Sequence, residues 1–187
     1  MYKAIVIGAS AGGFYALGNL LAKLPKEFSI PILIVQHISA SSDNYMSVYL
    51  NRKSKLKVKE ADEKETIKGG TVYIAPPNYH MLVENDYTIS LSTDYKLNYS
   101  RPSIDILFES AAYVYGKALI GVVLTGANND GAAGLLEIKN NGGYCIVQDP
   151  KEAEASAMPQ AAFAKASPNK VLKLAKIADL LIKLDNK

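Results

Sequence analysis

Ser10, His37 and Asp130 are the residues in this sequence whose types and placement could do chemistry together. Each follows a short apolar run rich in β-branched residues. Ser10 comes after Lys3-Ala-Ile-Val-Ile7, His37 after Ile32-Leu-Ile-Val35, and Asp130 after the run from Ala118 to Leu124. A serine hydroxyl becomes a nucleophile when a neighbouring base takes its proton, and imidazole is the common base near neutral pH. A carboxylate accepting from the other ring nitrogen fixes the tautomer. The expected geometry is Ser10 Oγ within hydrogen-bond reach of one ring nitrogen of His37, with Asp130 on the other. The chain order Ser, His, Asp differs from the α/β-hydrolase order of Ser, Asp or Glu, then His.

Each residue also has a plainer reading. Gly8-Ala-Ser10-Ala-Gly-Gly13 suits a sharp strand-to-helix turn that lifts a serine above a sheet, but it also suits a phosphate cradle or a structural turn. Its spacing departs from G-x-G-x-x-G, because Ser10 stands at the second glycine. Gln36-His37 stands where that fingerprint expects an acid, and no G-K-[ST] is present. His80 follows Pro76-Pro-Asn-Tyr79 and reads as a packed or loop-bonding side chain. Asn129-Asp130-Gly131 also fits a turn and helix cap, and Asp149-Pro150 offers a rival carboxylate. The loop around Asp130 is richer in Gly and Asn, which suits close backbone approach. With two histidines and one cysteine, all far apart, no metal site is expected. Cys145 lies in an apolar strand and reads as inert core.

The elements that must position these residues alternate. The run from Lys3 predicts a buried parallel strand, and Phe14 to Leu24 predicts a helix stopped by Pro25. Ile32 to Val35 is a second strand, and Asp43 or a nearby serine caps a helix through about Leu50. Thr71 to Ala75 reads as a strand. Met81 to Glu84 and Thr88 to Leu91, joined by Asn85-Asp86-Tyr87, read as a β-hairpin, either an insertion or a sheet edge. Lys96 to Arg101 is an irregular loop, and Ser103 caps a helix through about Tyr115. Then follow a strand from Ala118 to Leu124, a helix from Gly131 to Asn140, a strand from Tyr144 to Val147 and a terminal helix from Leu172 to Leu184. The expected fold is α/β: a doubly wound, mostly parallel sheet with helices on both faces and an antiparallel β-hairpin. Ligands of such sheets bind at the carboxyl ends of the strands, where Ser10, His37 and Asp130 fall.

Composition narrows the class. The chain has 187 residues, 49% hydrophobic and 21% charged, which excludes a disordered chain. It reads as one domain, residues 1–187, with a core large enough to need no metal or disulfide. Lys and Arg number 21 against 18 Asp and Glu, and the net charge of +3 is too small to argue for nucleic acid. Apolar runs are broken by Gly, Pro or charge, so no membrane span is expected. A single cysteine and no signal peptide point to the cytoplasm.

The sequence resembles the catalytic domain of the chemotaxis protein-glutamate methylesterases, the CheB family, over nearly its whole length. The blocks that carry the resemblance are Val6-Ile-Gly-Ala-Ser-Ala-Gly-Gly13, Val35-Gln-His37, Gly70-Thr-Val-Tyr-Ile-Ala-Pro76, Arg101-Pro-Ser-Ile-Asp105, Leu124-Thr-Gly126, Asn129-Asp-Gly-Ala132, Gly142-Gly143, Gln148-Asp-Pro150 and Met158-Pro159. Their order and spacing are specific together. The resemblance implies a triad of Ser10, His37 and Asp130 and hydrolysis of glutamyl γ-methyl esters on the cytoplasmic helices of chemoreceptors. Methanol would be released, some members also deamidate receptor glutamines, and no cofactor is needed. Backbone N–H groups of His37, Ala127 and Ala11 are the implied oxyanion donors. Family members usually carry a receiver domain before this one, and none is expected here because the first strand starts at Lys3. Ala11 stands where many members have Thr, and Thr125-Gly-Ala127-Asn128 replaces the usual Thr-Gly-Met-Gly. Ile38-Ser-Ala-Ser-Ser42 lacks the usual Met-Pro. The competing readings are an esterase or amidase with another substrate, and a catalytically silent module that binds receptor helices or a nucleotide.

Overall fold

The computed structural model describes residues 1–97 and 99–185; Asn98, in the expected Lys96–Arg101 loop, and residues 186 and 187 lie outside the described residues. The first strand, β1 (Ala4–Ala9), is buried along its whole length. Helix α1 (Gly13–Lys23) turns Ala16, Leu17, Leu20 and Leu21 inward and ends before Pro25, which cannot continue a helix. There follow β2 (Ile32–Gln36), α2 (Tyr45–Lys53), β3 (Lys57–Glu60), β4 (Thr71–Ile74), the hairpin strands β5 (His80–Val83) and β6 (Ile89–Ser92), and α3 (Ile104–Tyr115). A short 3-10 turn at Gly116–Ala118 leads into β7 (Leu119–Val123), α4 (Ala132–Asn140), β8 (Tyr144–Gln148), α5 (Ala157–Ala166), β9 (Lys170–Leu172) and α6 (Leu174–Asp185).

Seven strands form one parallel sheet in the order β3-β4-β2-β1-β7-β8-β9. Alternate side chains of β1 serve two cores. Ile5 and Ile7 pack with α1, α2 and α6, whereas Ala4 and Val6 pack with α3, α4, α5 and the hairpin. Each Ile, Leu or Val buried this way stabilises by ~1.5–3 kcal/mol, so the two cores dominate the energetics and the polar rim is free to serve chemistry. The direction of winding reverses at β1. The chain leaves β1 for β2 on one side and later returns to β7 on the other, opening a crevice at the carboxyl ends. Register brings the chemistry level: Ala9 pairs with Gln36 and Gly8 with Val123, so the residues after β1, β2 and β7 emerge together.

The doubly wound sheet has the expected architecture. The hairpin is an insertion with its own two-stranded sheet, not an edge of the main one. Met81, Val83 and Ile89 belong to the core beneath it, and Val83 N–H donates to Ser110 Oγ on α3. Three elements were not anticipated. β3 reads Lys-Val-Lys-Glu and buries only Val58 well, as an edge strand can. β9 is three residues long, so the terminal helix starts at Leu174 and not Leu172. α5 carries Pro159 in its first turn, where a missing N–H costs nothing, and buries mainly small residues, which blurs its periodicity.

Candidate active site

Ser10 sits on a turn held from several sides. Its N–H donates to Thr125 O (2.9 Å), and its carbonyl accepts from Gly13 N–H (2.8 Å) and from the Gln36 carboxamide (2.9 Å). Gly12 has φ +76°, a left-handed conformation that L side chains rarely adopt, which lets the chain reverse into α1. Thr125 Oγ1 donates to Ala11 O (2.8 Å), tying this turn to the loop after β7. The Ser10 hydroxyl is half-buried and has no hydrogen-bond partner among the described residues. The N–H groups of Ala11 and Ala127 likewise meet no protein acceptor there.

His37 begins where β2 ends. Its N–H donates to Ala9 O (3.0 Å), continuing the β1–β2 ladder, so this group is already committed and is not a free oxyanion donor. Gln36 Nε2 bonds the carbonyls of both Ser10 and His37 (2.9 and 3.0 Å), locking the two turns together. The imidazole is 12% exposed. Its Nε2 lies 2.8 Å from Asp130 Oδ2, and its Nδ1 lies 3.2 Å from Asn128 Nδ2. Asn128 Oδ1 accepts from Asp130 N–H (3.1 Å), which orients the carboxamide with its NH2 toward the ring. An amide NH2 only donates, so Nδ1 is the acceptor and Nε2 carries the proton shared with Asp130. The expected hydrogen bond from Ser10 Oγ to the ring is absent among the described residues; Asn128 occupies that nitrogen.

Asp130 is fully buried, yet its carboxyl is held below the usual range. Burial alone would raise it. The imidazole and the backbone N–H groups of Ile104 (2.7 Å) and Asp105 (3.1 Å) outweigh that, with Ser103 Oγ also donating (3.0 Å). These N–H groups open α3, where the helix dipole also favours an anion. Thus Asp130 caps α3, a helix that begins 26 residues earlier in the chain, and Ser103 points its hydroxyl at Asp130 instead of back onto its own helix. Asp105 returns the arrangement. It lies in the first turn of α3 and accepts from Gly134 N–H (2.7 Å) in the first turn of α4. Burial pushes the Asp105 carboxyl up to about 6; Gly134 N–H opposes that, and the neighbouring Asp130 charge adds to it. The close approach depends on Gly131, which has φ +89° and where a Cβ would lie 2.7 Å from Ile104 Cγ2.

The competing residues lie in settled surroundings. His80 is buried, with Nε2 against Tyr95 O (3.1 Å) and Nδ1 accepting from Ser103 N–H (3.1 Å). Asp149 accepts from Lys151 N–H in its own turn. Cys145 is buried, and its thiol is pushed up to about 11 by that burial. Among the described residues, no group of three His, Cys, Asp or Glu could hold a metal ion, and no helix is long and apolar enough to cross a membrane. Residue spacing did not single out Gln36, Asp105 or Gln148 as organisers of the site. Gln148 Oε1 accepts from Thr125 N–H (2.8 Å). The available signal was a glutamine closing each of two otherwise apolar strands, a position where a polar side chain must find backbone partners.

Residues 5–181 match the family model for CheB methylesterase. A Leptospira interrogans protein, provisionally named protein-glutamate methylesterase/protein-glutamine glutaminase, is 56% identical over 184 residues, covering 98% of this chain and 95% of its own length. A Syntrophus aciditrophicus protein-glutamate methylesterase/protein-glutamine glutaminase is 38% identical over 185 residues, and the match spans 54% of that longer protein. The crystal structure of the Thermotoga maritima CheB methylesterase catalytic domain superposes with a TM-score of 0.94 at 35% identity, covering 98% of this chain and 99% of that one.

Proposed function

The chain belongs to the CheB methylesterase family, and from that premise we propose that it hydrolyses glutamyl γ-methyl esters on the cytoplasmic helices of methyl-accepting chemotaxis receptors. Methanol is released, and receptor glutamines are a second, amide substrate. Residues 1–187 act as one methylesterase domain, and its place of action is the cytoplasm.

Ser10 is the nucleophile, His37 the base and Asp130 the group that orients it. The observation that carries this reading is the Asp130–His37 bond, built on the level rim that also presents the Ser10 hydroxyl, which has no partner among the described residues. Ser10 Oγ attacks the ester carbonyl while His37 Nδ1 takes its proton. The imidazolium is stabilised through Nε2–H by Asp130, whose charge is fixed by the start of α3. The N–H groups of Ala11 and Ala127 hold the tetrahedral oxyanion. His37 then returns the proton to the departing methoxide. Water, deprotonated by His37, attacks the acyl-enzyme and frees the glutamate side chain. For an amide substrate the same steps release ammonia. No step calls for a cofactor.

Methanol release from methylated receptor, compared between the unmodified protein and Ser10→Ala, tests the reading. Release that disappears with Ser10→Ala supports it. Equal release by both proteins overturns the serine mechanism, and no release by either overturns the activity.

A further inference from the structure

One ring nitrogen of His37, Nδ1, is covered, and the covering group is Asn128. An imidazole nitrogen has one lone pair, so Nδ1 cannot accept from Asn128 and from Ser10 at the same time. The two sides of the ring are unequal. The Nε2 contact to Asp130 is 2.8 Å and charge-assisted, whereas the Nδ1 contact to Asn128 is a longer, neutral 3.2 Å. The ring is therefore held firmly from one side and loosely from the side where the proton must arrive. Asn128 is itself half-buried, and its Oδ1 accepts from Asp130 N–H, a pivot that aims the NH2 at the ring.

We propose that Asn128 is a positioning residue that stoppers the His37 base: its amide holds the Nδ1 lone pair until substrate binds and must withdraw before Ser10 Oγ–H can donate there. This rests on the Ser10–His37–Asp130 reading. When the stopper withdraws, the Asn128 N–H turns to solvent or substrate. The Ser10 proton then passes to Nδ1 as the Oγ–carbon bond forms. The cost of withdrawal is that of one neutral hydrogen bond, which corresponds to a rate factor of about 3–10.

The test is acylation of Ser10 by p-nitrophenyl acetate, followed as the p-nitrophenolate burst, alongside long-range 15N spectra of the imidazoles at fixed pH with His80→Gln for assignment. Asn128→Ala removes the stopper and should raise the acylation rate constant about 3–10-fold. In the Ser10→Ala background, where the serine hydroxyl cannot take its place, Asn128→Ala should move the Nδ1 resonance of His37 downfield, because that nitrogen loses the Asn128 hydrogen bond. Asn128→Asp keeps the acceptor for Asp130 N–H but cannot donate, and its negative charge draws a proton onto Nδ1; it should acylate at least about tenfold more slowly. Circular dichroism confirms the fold of both, and Asn128→Ser is the fallback if Asn128→Ala unfolds. An Asn128→Ala rate equal to or below the unmodified one, with no movement of Nδ1, overturns the proposal. A burst that persists in Ser10→Ala overturns the triad reading instead, so the two failures are distinguishable.

Discussion

The two histidines of this chain sit at opposite ends of the same network. His80 is buried, and both ring nitrogens meet backbone groups, Tyr95 O and Ser103 N–H. His37 lies at the crevice, with one nitrogen on a buried carboxylate and the other on a side-chain amide. Backbone partners cannot be exchanged without moving the chain, so His80 can only hold structure. A side-chain amide can rotate away, so the His37 nitrogen can be offered to a reacting hydroxyl. The network joins them: Ser103 donates its N–H to His80 and its hydroxyl to Asp130, which accepts from His37. The contrast lies in the partners: both nitrogens of His80 are held by backbone, whereas one nitrogen of His37 meets only a side-chain amide.

The largest expected effects would break that contrast outright. Ser10→Ala and His37→Ala should each lower methyl-ester turnover by about 10⁴-fold or more, and the double variant should be little worse than either, because the residues act as a unit. His80→Ala should leave turnover within about tenfold. Methanol-release rates showing the reverse order for the two histidines would end the distinction. Asp130→Asn should fold but lose about 10³–10⁴-fold in turnover, since an amide supports the wrong tautomer. If Asp149→Asn does this and Asp130→Asn does not, the orienting carboxylate is misassigned.

The next effects are on stability. His80→Ala leaves the Ser103 N–H without its acceptor in a buried site and should cost about 1–3 kcal/mol, read from urea unfolding. Asp105 and Asp130 should respond oppositely to pH. The Asp105 carboxyl is raised to about 6, so the folded protein holds that proton more tightly than the unfolded chain. Its contribution is therefore present at low pH and lost as pH rises from about 4 to about 6. Asp130 is lowered, so its contribution is present above the ordinary carboxylate range and lost as pH falls through its folded value. Asp105→Asn, which keeps an acceptor for Gly134 N–H, should raise the melting temperature at pH 7 by a few degrees and leave it nearly unchanged at pH 4. A lower melting temperature for Asp105→Asn at pH 7 would contradict the assignment. Smallest of all, Cys145 should resist alkylation by iodoacetamide at pH 8 in the folded protein, because burial keeps its thiol protonated, and should react on unfolding.

Local sequence determined a good deal here. The uninterrupted apolar runs of β1, β2, β7 and β8 could only be strands buried on both faces, and their alternation with helices dictated a parallel sheet and a reactive rim. Ser10 and His37 stand out because each directly follows such a run, and Asp130 because it lies in the loop after one. β3, α5 and β9 were not, because an edge strand or a helix of small residues carries little periodic signal. Only the tertiary structure decided which groups meet. Asp130 precedes α4 in the chain but caps α3, and Asp105 of α3 reaches α4. That exchange exists because α3 and α4 pack side by side with Gly131 letting Ile104 close in. The partner at His37 Nδ1 was decided in the same way: Asn128, 91 residues away in the chain, reaches that nitrogen through a side-chain orientation that no spacing of residues records.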